Sequence, residues 1–335
     1  MQNFLDPAIL FFVFGIAAGL LRSNLEIPPQ IAKFLSLYLL MALGLKGGFA
    51  LAASGLSPTI AASLLAAIIM AFVVPVLGYA FLRTRVPKFD AAAVAASYGS
   101  VSAVTFVTAM QYAETQQIAV GGHMTVAMVL MESPAIIVAI VLANMLRREH
   151  AAGAQDVHLT AQGTVIPTSA PSTSIRDVLH ESLTNGTHLL LLASLAIGFL
   201  SGENGKEVMK PFSADLFKGM LAFFLLDMGL VVAKNLRDAR GKAPVLLVYA
   251  VCSPFVHAAI ALLLAMVFGL SAGDAGLLMV LSASASYIVV PAVLRYAVPE
   301  ANPSVYLGLP IGVTFPINLL VGIPVYMATA EHFIG

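Results

Sequence analysis

The sequence has almost no cysteine and little charge. One residue of 335 is Cys, Cys252, and it sits in an apolar run. A single thiol excludes intramolecular disulfides and cysteine-based zinc or iron–sulfur sites. Charged residues make up 10% of the chain, against about 25% in soluble domains. So few charges cannot cover a soluble surface of this size, which excludes a soluble enzyme of two ordinary domains. The 17 basic and 17 acidic residues cancel, so neither a basic face nor a nucleic-acid partner is expected. Enzyme motifs are lacking too. There is no phosphate-cradling P-loop, no zinc-binding HExxH helix and no GxSxG elbow, and His180-Glu181 has no second histidine. Neither an enzyme nor an ATP-driven pump is expected.

What is there is apolar: 59% of the residues. A spanning helix needs about 20 mostly apolar residues. Ten segments qualify, at about 4–21, 30–51, 57–82, 91–112, 120–146, 187–201, 212–233, 243–270, 274–297 and 303–330. The expected fold is an all-α polytopic membrane protein. Residues 147–174 are polar, rich in Gln, Thr, Ser and Pro, and read as a loop. Ser174-Ile175-Arg176-Asp177 then resembles a capping box, and Ile175, Val178, Leu179 and Leu183 recur at helical spacing. That pattern predicts a short amphipathic helix at the membrane surface, either a run-in to the next span or a docking helix for a partner. The organisation is thus 1–146, a first set of five spans; 147–186, a loop with a short helix; and 187–335, a second set of five.

The basic residues are distributed unevenly. With ten spans, thirteen of the 17 fall on the side opposite the termini, among them Lys33, Arg83, Arg85, Lys88, Arg147 and Arg148. Only Lys46, Lys206, Lys210 and Lys218 fall on the other. Cytoplasmic loops collect Lys and Arg. The expectation is a multi-pass protein of the cell inner (plasma) membrane, with both termini outside and 147–186 in the cytoplasm.

The two halves also resemble each other. An offset of 185 residues lays Leu40–Leu45 on Leu225–Leu230, Ser97 on Ser282, and the small-residue stretch 97–105 on 282–290. Five spans per half is odd, so the second half enters the membrane inverted. Inverted repeats mark many secondary transporters.

The fourth span of each half carries the most chemistry. AASYGSVSAVT at 95–105 and VLSASASYIVVP at 280–291 both place small hydroxyl residues in mid-span. Such helices are prone to break. Two broken helices crossing at mid-membrane would aim free N–H groups and helix dipoles at one point, which attracts an anion. Carbonyls and hydroxyls there can hold sodium. The alternative is that small residues simply let helices approach closely. The candidate substrate-binding residues are Gly99, Ser100, Ser102, Thr105, Ser282, Ser284, Ser286 and Tyr287, with Ser97 beside them. Ser102, Thr105, Ser284 and Ser286 are the candidate sodium ligands. Neither stretch holds Lys or Arg, which favours a small, weakly charged anion. Ionisable groups inside the membrane are functional candidates because their burial is costly. Glu132 and Asp227 are therefore candidates for coupling. His257 reads as a structural donor to a backbone carbonyl, and Asn318 as a further polar break.

These motifs resemble the sodium-dependent bicarbonate transporters first known from cyanobacteria. The resemblance spans nearly the whole chain. It is carried by GLKGG at 44–48, GSVSAVT at 99–105, MESPAIIVAIVLAN at 131–144, LFKGMLAFFLLDMGL at 216–230 and PEANPSVYLGLPIGVTFPI at 299–317. It implies ten transmembrane helices in two inverted repeats of five, with discontinuous helices forming a core domain and a separate gate domain. It further implies a homotrimer embedded in membrane lipid, elevator-type sodium-coupled bicarbonate uptake with sodium as co-substrate and no other cofactor, and a PII-like regulatory protein on the cytoplasmic face. The sequence also departs from the family. Where the family's second crossing has serines, an Asp and then Ser-Gly-Pro-Pro, this chain has Ser284-Ala285-Ser286-Tyr287 and then Val289-Val290-Pro291-Ala292. Tyr287 takes the place of the acid, and its hydroxyl can still bond a carboxylate or carbonate group. At the first crossing Val104 replaces a Ser, and Asp227 stands where the family is apolar. Three readings stay open: sodium-coupled bicarbonate symport; transport of another small organic anion, such as a monocarboxylate, with altered or proton coupling; and a transport-inactive scaffold or sensor that docks a PII-like protein.

Overall fold

A computed structural model describes residues 6–55, 58–154, 186–239 and 243–335. The chain is all-helical, with no strand among the described residues. The first helices are α1 (Pro7–Leu20), α2 (Pro29–Ser54), α3 (Pro58–Leu82), α4 (Lys88–Gly99), α5 (Ala103–Gln116), α6 (Met124–Leu130) and α7 (Glu132–Ala154). Then follow α8 (Gly186–Lys210), α9 (Phe217–Ala239), α10 (Pro244–Phe268), α11 (Ala272–Ala283), α12 (Val289–Ala297) and a last run, α13 (Pro303–Ile334). The last run is interrupted by wide turns at Pro310–Thr314 and Asn318–Gly322. Proline opens α1, α2, α3 and α10, where its missing N–H costs nothing.

Seven of the described helical runs are long and apolar enough to cross a membrane. Pro7–Leu20 and Ala272–Ala283 are shorter apolar helices. The predicted segments 187–201 and 212–233 lie in one helical run, Leu189–Leu236, of 48 residues. That run departs from helical backbone at Gly202 (φ 54°, ψ −143°), a left-handed conformation that glycine adopts without strain. The predicted segment 120–146 is two helices, α6 and α7, meeting at Met131. The second continues to Ala154, past the start of the predicted loop at 147. Its continuation is tied down by charge. Arg147 makes a two-pronged ion pair with Glu300 (2.7 and 2.9 Å) and donates to the Ala297 carbonyl (2.9 Å), and Glu149 pairs with Lys88 (2.8 Å). The predicted amphipathic helix at 174–183 lies outside the described residues.

The helices sort into two groups. Helices α1, α2, α8 and α9 form one, in which α2 packs along α8 and α1 along α9. Glycines allow both close approaches. A Cβ at Gly198 would stand 2.5 Å from the Leu45 carbonyl oxygen and 3.2 Å from the Gly48 Cα, and one at Gly15 would stand 3.1 Å from the Gly229 Cα. The second group packs α3 against α4, α10 against α11, and α4 against α7, with α13 closing on α11. Helices α4 and α11 form its centre. Each has 12 residues, and they align at an offset of 184. Each carries an Asp in its first turn that accepts a backbone N–H from a distant loop. Asp90 accepts from Asn302 and Asp274 from Gly121, both at 2.7 Å.

Candidate functional site

Helices α4 and α11 both stop at a serine in extended conformation. Ser100 has φ −101° and ψ 175°, and Ser284 has φ −80° and ψ 166°. Each chain then runs unwound before a new helix begins, α5 after Ser102 and α12 after Ile288. The two unwound segments bond to each other. The Ser102 amide donates to Ser284 Oγ at 2.9 Å, and the Ser286 amide donates to the Ser97 carbonyl at 2.7 Å. Ser284 Oγ in turn donates to the Leu281 carbonyl at 2.8 Å. Two of the amides freed by the breaks are thus satisfied inside the protein, as non-helical backbone in a membrane protein requires.

Hydroxyls extend this network. Ser102 caps α5: its Oγ accepts from the Thr105 amide (3.2 Å) and the Thr105 hydroxyl (3.0 Å), and donates to the Tyr287 oxygen (3.3 Å). Ser286 Oγ accepts from Val290 N–H at 3.4 Å. The hydroxyls of Ser97, Ser100 and Ser282 are buried with no hydrogen-bond partner.

A cavity of about 70 Å³ opens beside the crossing, enough for a few waters or one small anion. Its lining includes Ser102, Ala103 and Val104 from the start of α5, and Ser286, Tyr287, Ile288 and Val289 from the start of α12. Two helix N-termini therefore face one space, and their first-turn N–H groups have no partner within the helix. Ser36 and Leu40 of α2, and Thr187 and Leu191 of α8, form the facing wall. The cavity thus lies in the seam between the two helix groups, at the end of α2 nearest Lys33. Val101, Met128 and Glu132 also line it. Glu132 opens α7 and is 7% exposed.

The predicted residues are distributed as follows. Ser102, Ser286, Tyr287 and Glu132 line the cavity. Thr105 and Ser284 stand behind Ser102 and hold it. Gly99, Ser100 and Ser282 are buried near the crossing but are not among the lining residues. Gly99 packs on Pro75, where a Cβ would come within 2.6–2.7 Å of the ring. Asp227 sits half-buried on α9 and does not line the cavity. His257 is buried and interacts with the Ser282 backbone. Asn318 donates to the Ala283 carbonyl at 2.7 Å, the end of the broken helix, and accepts from the Tyr326 hydroxyl at 3.0 Å.

Sequence reasoning did not find Tyr98 and Thr314. The Thr314 hydroxyl donates to the Ala250 carbonyl at 2.8 Å, so Tyr98 donates to Thr314 at 2.6 Å. Nothing in the local pattern of either residue announces a partner more than two hundred positions away.

No group of three or more His, Cys, Asp or Glu stands together among the described residues. Around the crossing, hydroxyl and carbonyl oxygens are the available cation ligands, with Glu132 the one carboxylate among the described residues of the lining. Such hard oxygens, without thiolate or imidazole, suit an alkali or alkaline-earth ion rather than a transition metal.

A family model of the Na+-dependent bicarbonate transporter superfamily matches residues 7–331. The chain belongs to that superfamily. This is a family of transporters, not of enzymes, and with its apolar helices it makes the protein a multi-pass membrane protein. The superfamily match takes in both crossings and every residue of the cavity. Among curated proteins, none matches the chain.

Proposed function

We propose that the protein is a secondary active importer of bicarbonate driven by sodium, working through ten spans in two inverted repeats. The observation that carries the reading is the convergence of two helix N-termini on one cavity at the crossing. Helix dipoles and free amides there attract an anion without a Lys or Arg to trap it. Sodium supplies the opposing positive charge through hydroxyl and carbonyl oxygens and Glu132, as midplane sites in broken-helix transporters do.

Several observations support ten spans. The 48-residue run Leu189–Leu236 would be about 70 Å long as one helix, more than twice the roughly 30 Å hydrocarbon core. Counting it as two crossings joined at Gly202, and adding the short α1 and the broken pair α11–α12, raises seven spans to ten. The matched lengths of α4 and α11, their matched first-turn Asp residues and the exchanged pairs α1·α9 and α2·α8 support inverted repetition. In the same reading α1, α2, α8 and α9 form the gate, and the remaining helices form the core that slides against it. In the same reading the Lys33 end of α2, where the cavity lies, faces the cytoplasm, the side that collects Lys and Arg. A homotrimer and a PII-like partner at 147–186 belong to this reading as consequences of family membership.

The test is uptake of labelled bicarbonate by purified protein in liposomes under an inward sodium gradient. Sodium-dependent accumulation is expected; absence of flux would overturn the reading. One observation favours a second substrate class. Leu40, Val101, Val104, Met128, Leu191, Ile288 and Val289 make most of the lining apolar, which suits a monocarboxylate with a short hydrocarbon end. Accumulation of acetate or pyruvate in place of bicarbonate in the same assay would select it.

A further inference from the structure

A second cavity, of about 250 Å³, lies further along the same seam. Helix α2 lines both. It gives Ser36 and Leu40 to the crossing cavity, and Leu43, Lys46, Gly47 and Ala50 to this one. Ten residues of helix separate Ser36 from Lys46, a rise of about 15 Å. Helix α5 runs alongside, giving Ala103 and Val104 to the first cavity and Gln111 and Glu114 to the second. The two spaces thus lie in series between the helix groups, the second toward the face with few basic residues.

Among the described residues, Lys46 is the one basic residue lining either cavity. Its ammonium is 2.8 Å from Glu114 Oε2 and sits over the Phe217 ring, 4.5 Å from the centroid. An ammonium has three donors, so the carboxylate and the ring leave donor capacity unused. Glu114 is half exposed, while Lys46 is 22% exposed. The lysine is therefore held at the cavity wall by a partner that solvent can compete for.

We propose that this outer cavity is a second anion site, in which Lys46 binds the carboxylate oxygens of hydrogencarbonate. Glu114 balances the lysine, so the anion binds weakly and moves on, as passage through successive sites requires. The inference rests on bicarbonate being the cargo.

The test is sodium-driven bicarbonate uptake by the full-length protein in liposomes, with substrate presented at the outer face and KM and kcat separated. Lys46→Met is expected to raise KM about tenfold, equivalent to about 1.4 kcal/mol of binding, with kcat little changed. Glu114→Gln releases the ammonium from its counter-charge and is expected to lower KM. A pair that served only to hold α2 against α5 would be broken equally by either change. KM moving in the same direction in both variants would therefore overturn the proposal. Lys46→Arg, which keeps the charge, serves as the folding control and is expected to retain uptake. If wild-type protein takes up no bicarbonate, the transport reading falls and this one with it. If wild type transports and the variants leave KM unchanged, only the outer site falls.

Discussion

The amide of Ser102 donates to the side chain of Ser284 at 2.9 Å, joining two breaks that lie 182 residues apart. Ser284 Oγ both receives this bond and closes the end of its own helix on Leu281. Ser284→Ala removes the acceptor without adding bulk and leaves a buried N–H unpaired, at a cost of about 1–3 kcal/mol. The expected outcome is a lower thermal unfolding temperature in detergent and impaired uptake. An unchanged unfolding temperature would show that the crossing does not depend on this bond.

Glu132 and Asp227 are the two candidates for coupling, and their surroundings differ. Glu132 lines the crossing cavity, whereas Asp227 is on α9 away from it. Glu132→Gln is nearly isosteric and is expected to lower sodium-driven uptake by more than about tenfold, through loss of about 1.4 kcal/mol or more of coupling. Asp227→Asn is expected to leave uptake within about a factor of two, a difference of roughly 0.4 kcal/mol. Parallel initial-rate measurements decide the matter, and the reverse order would move the coupling site to α9.

Gly99 tests packing rather than ligand contact. A methyl group there would meet the Pro75 ring at 2.6–2.7 Å, and a proline ring has little freedom to yield. Gly99→Ala is expected to destabilise the protein by about 1–3 kcal/mol through overpacking. Thermal unfolding of the purified variant reads this directly.

His123, in the loop before α6, gives stability a pH dependence. Burial lowers its pKa below the ordinary 6.5, and Asp274, with Oδ2 3.8 Å from Nε2, only partly offsets this. The unfolded chain takes up the proton near pH 6.5 while the folded one resists. Stability from the neutral ring is therefore present above about pH 6.5 and is lost as pH falls below it. Unfolding temperatures at pH 7.5 and 5.5 are expected to differ more for wild type than for His123→Gln. An equal difference in both would show that His123 contributes nothing to the profile.

Much of this fold was legible in the sequence because lipid imposes a simple rule. Every backbone group must be satisfied within the membrane, so spans appear as long apolar segments. Breaks appear as small hydroxyl residues where apolar ones are expected. That rule marked 95–105 and 280–291 as stretches prone to break, and Glu132 as an acid within a span. It gave no account of the joint at Met131 or the extension of α7 to Ala154, because the ion pairs of Arg147 and Glu149 reach residues distant in sequence. Nor did it separate Ser102, which lines the cavity, from Ser100, which does not.

The sequence by itself determined that the chain is helical, apolar and multi-pass, and which two stretches are prone to break. Those properties follow from composition, periodicity and local motifs. Only the tertiary structure decided which hydroxyls share a cavity, that Glu132 faces it while Asp227 does not, and that Lys46 meets Glu114 and Phe217. These outcomes depend on hydrogen bonds and contacts between segments tens to hundreds of residues apart, fixed when the two helix groups close on their common seam.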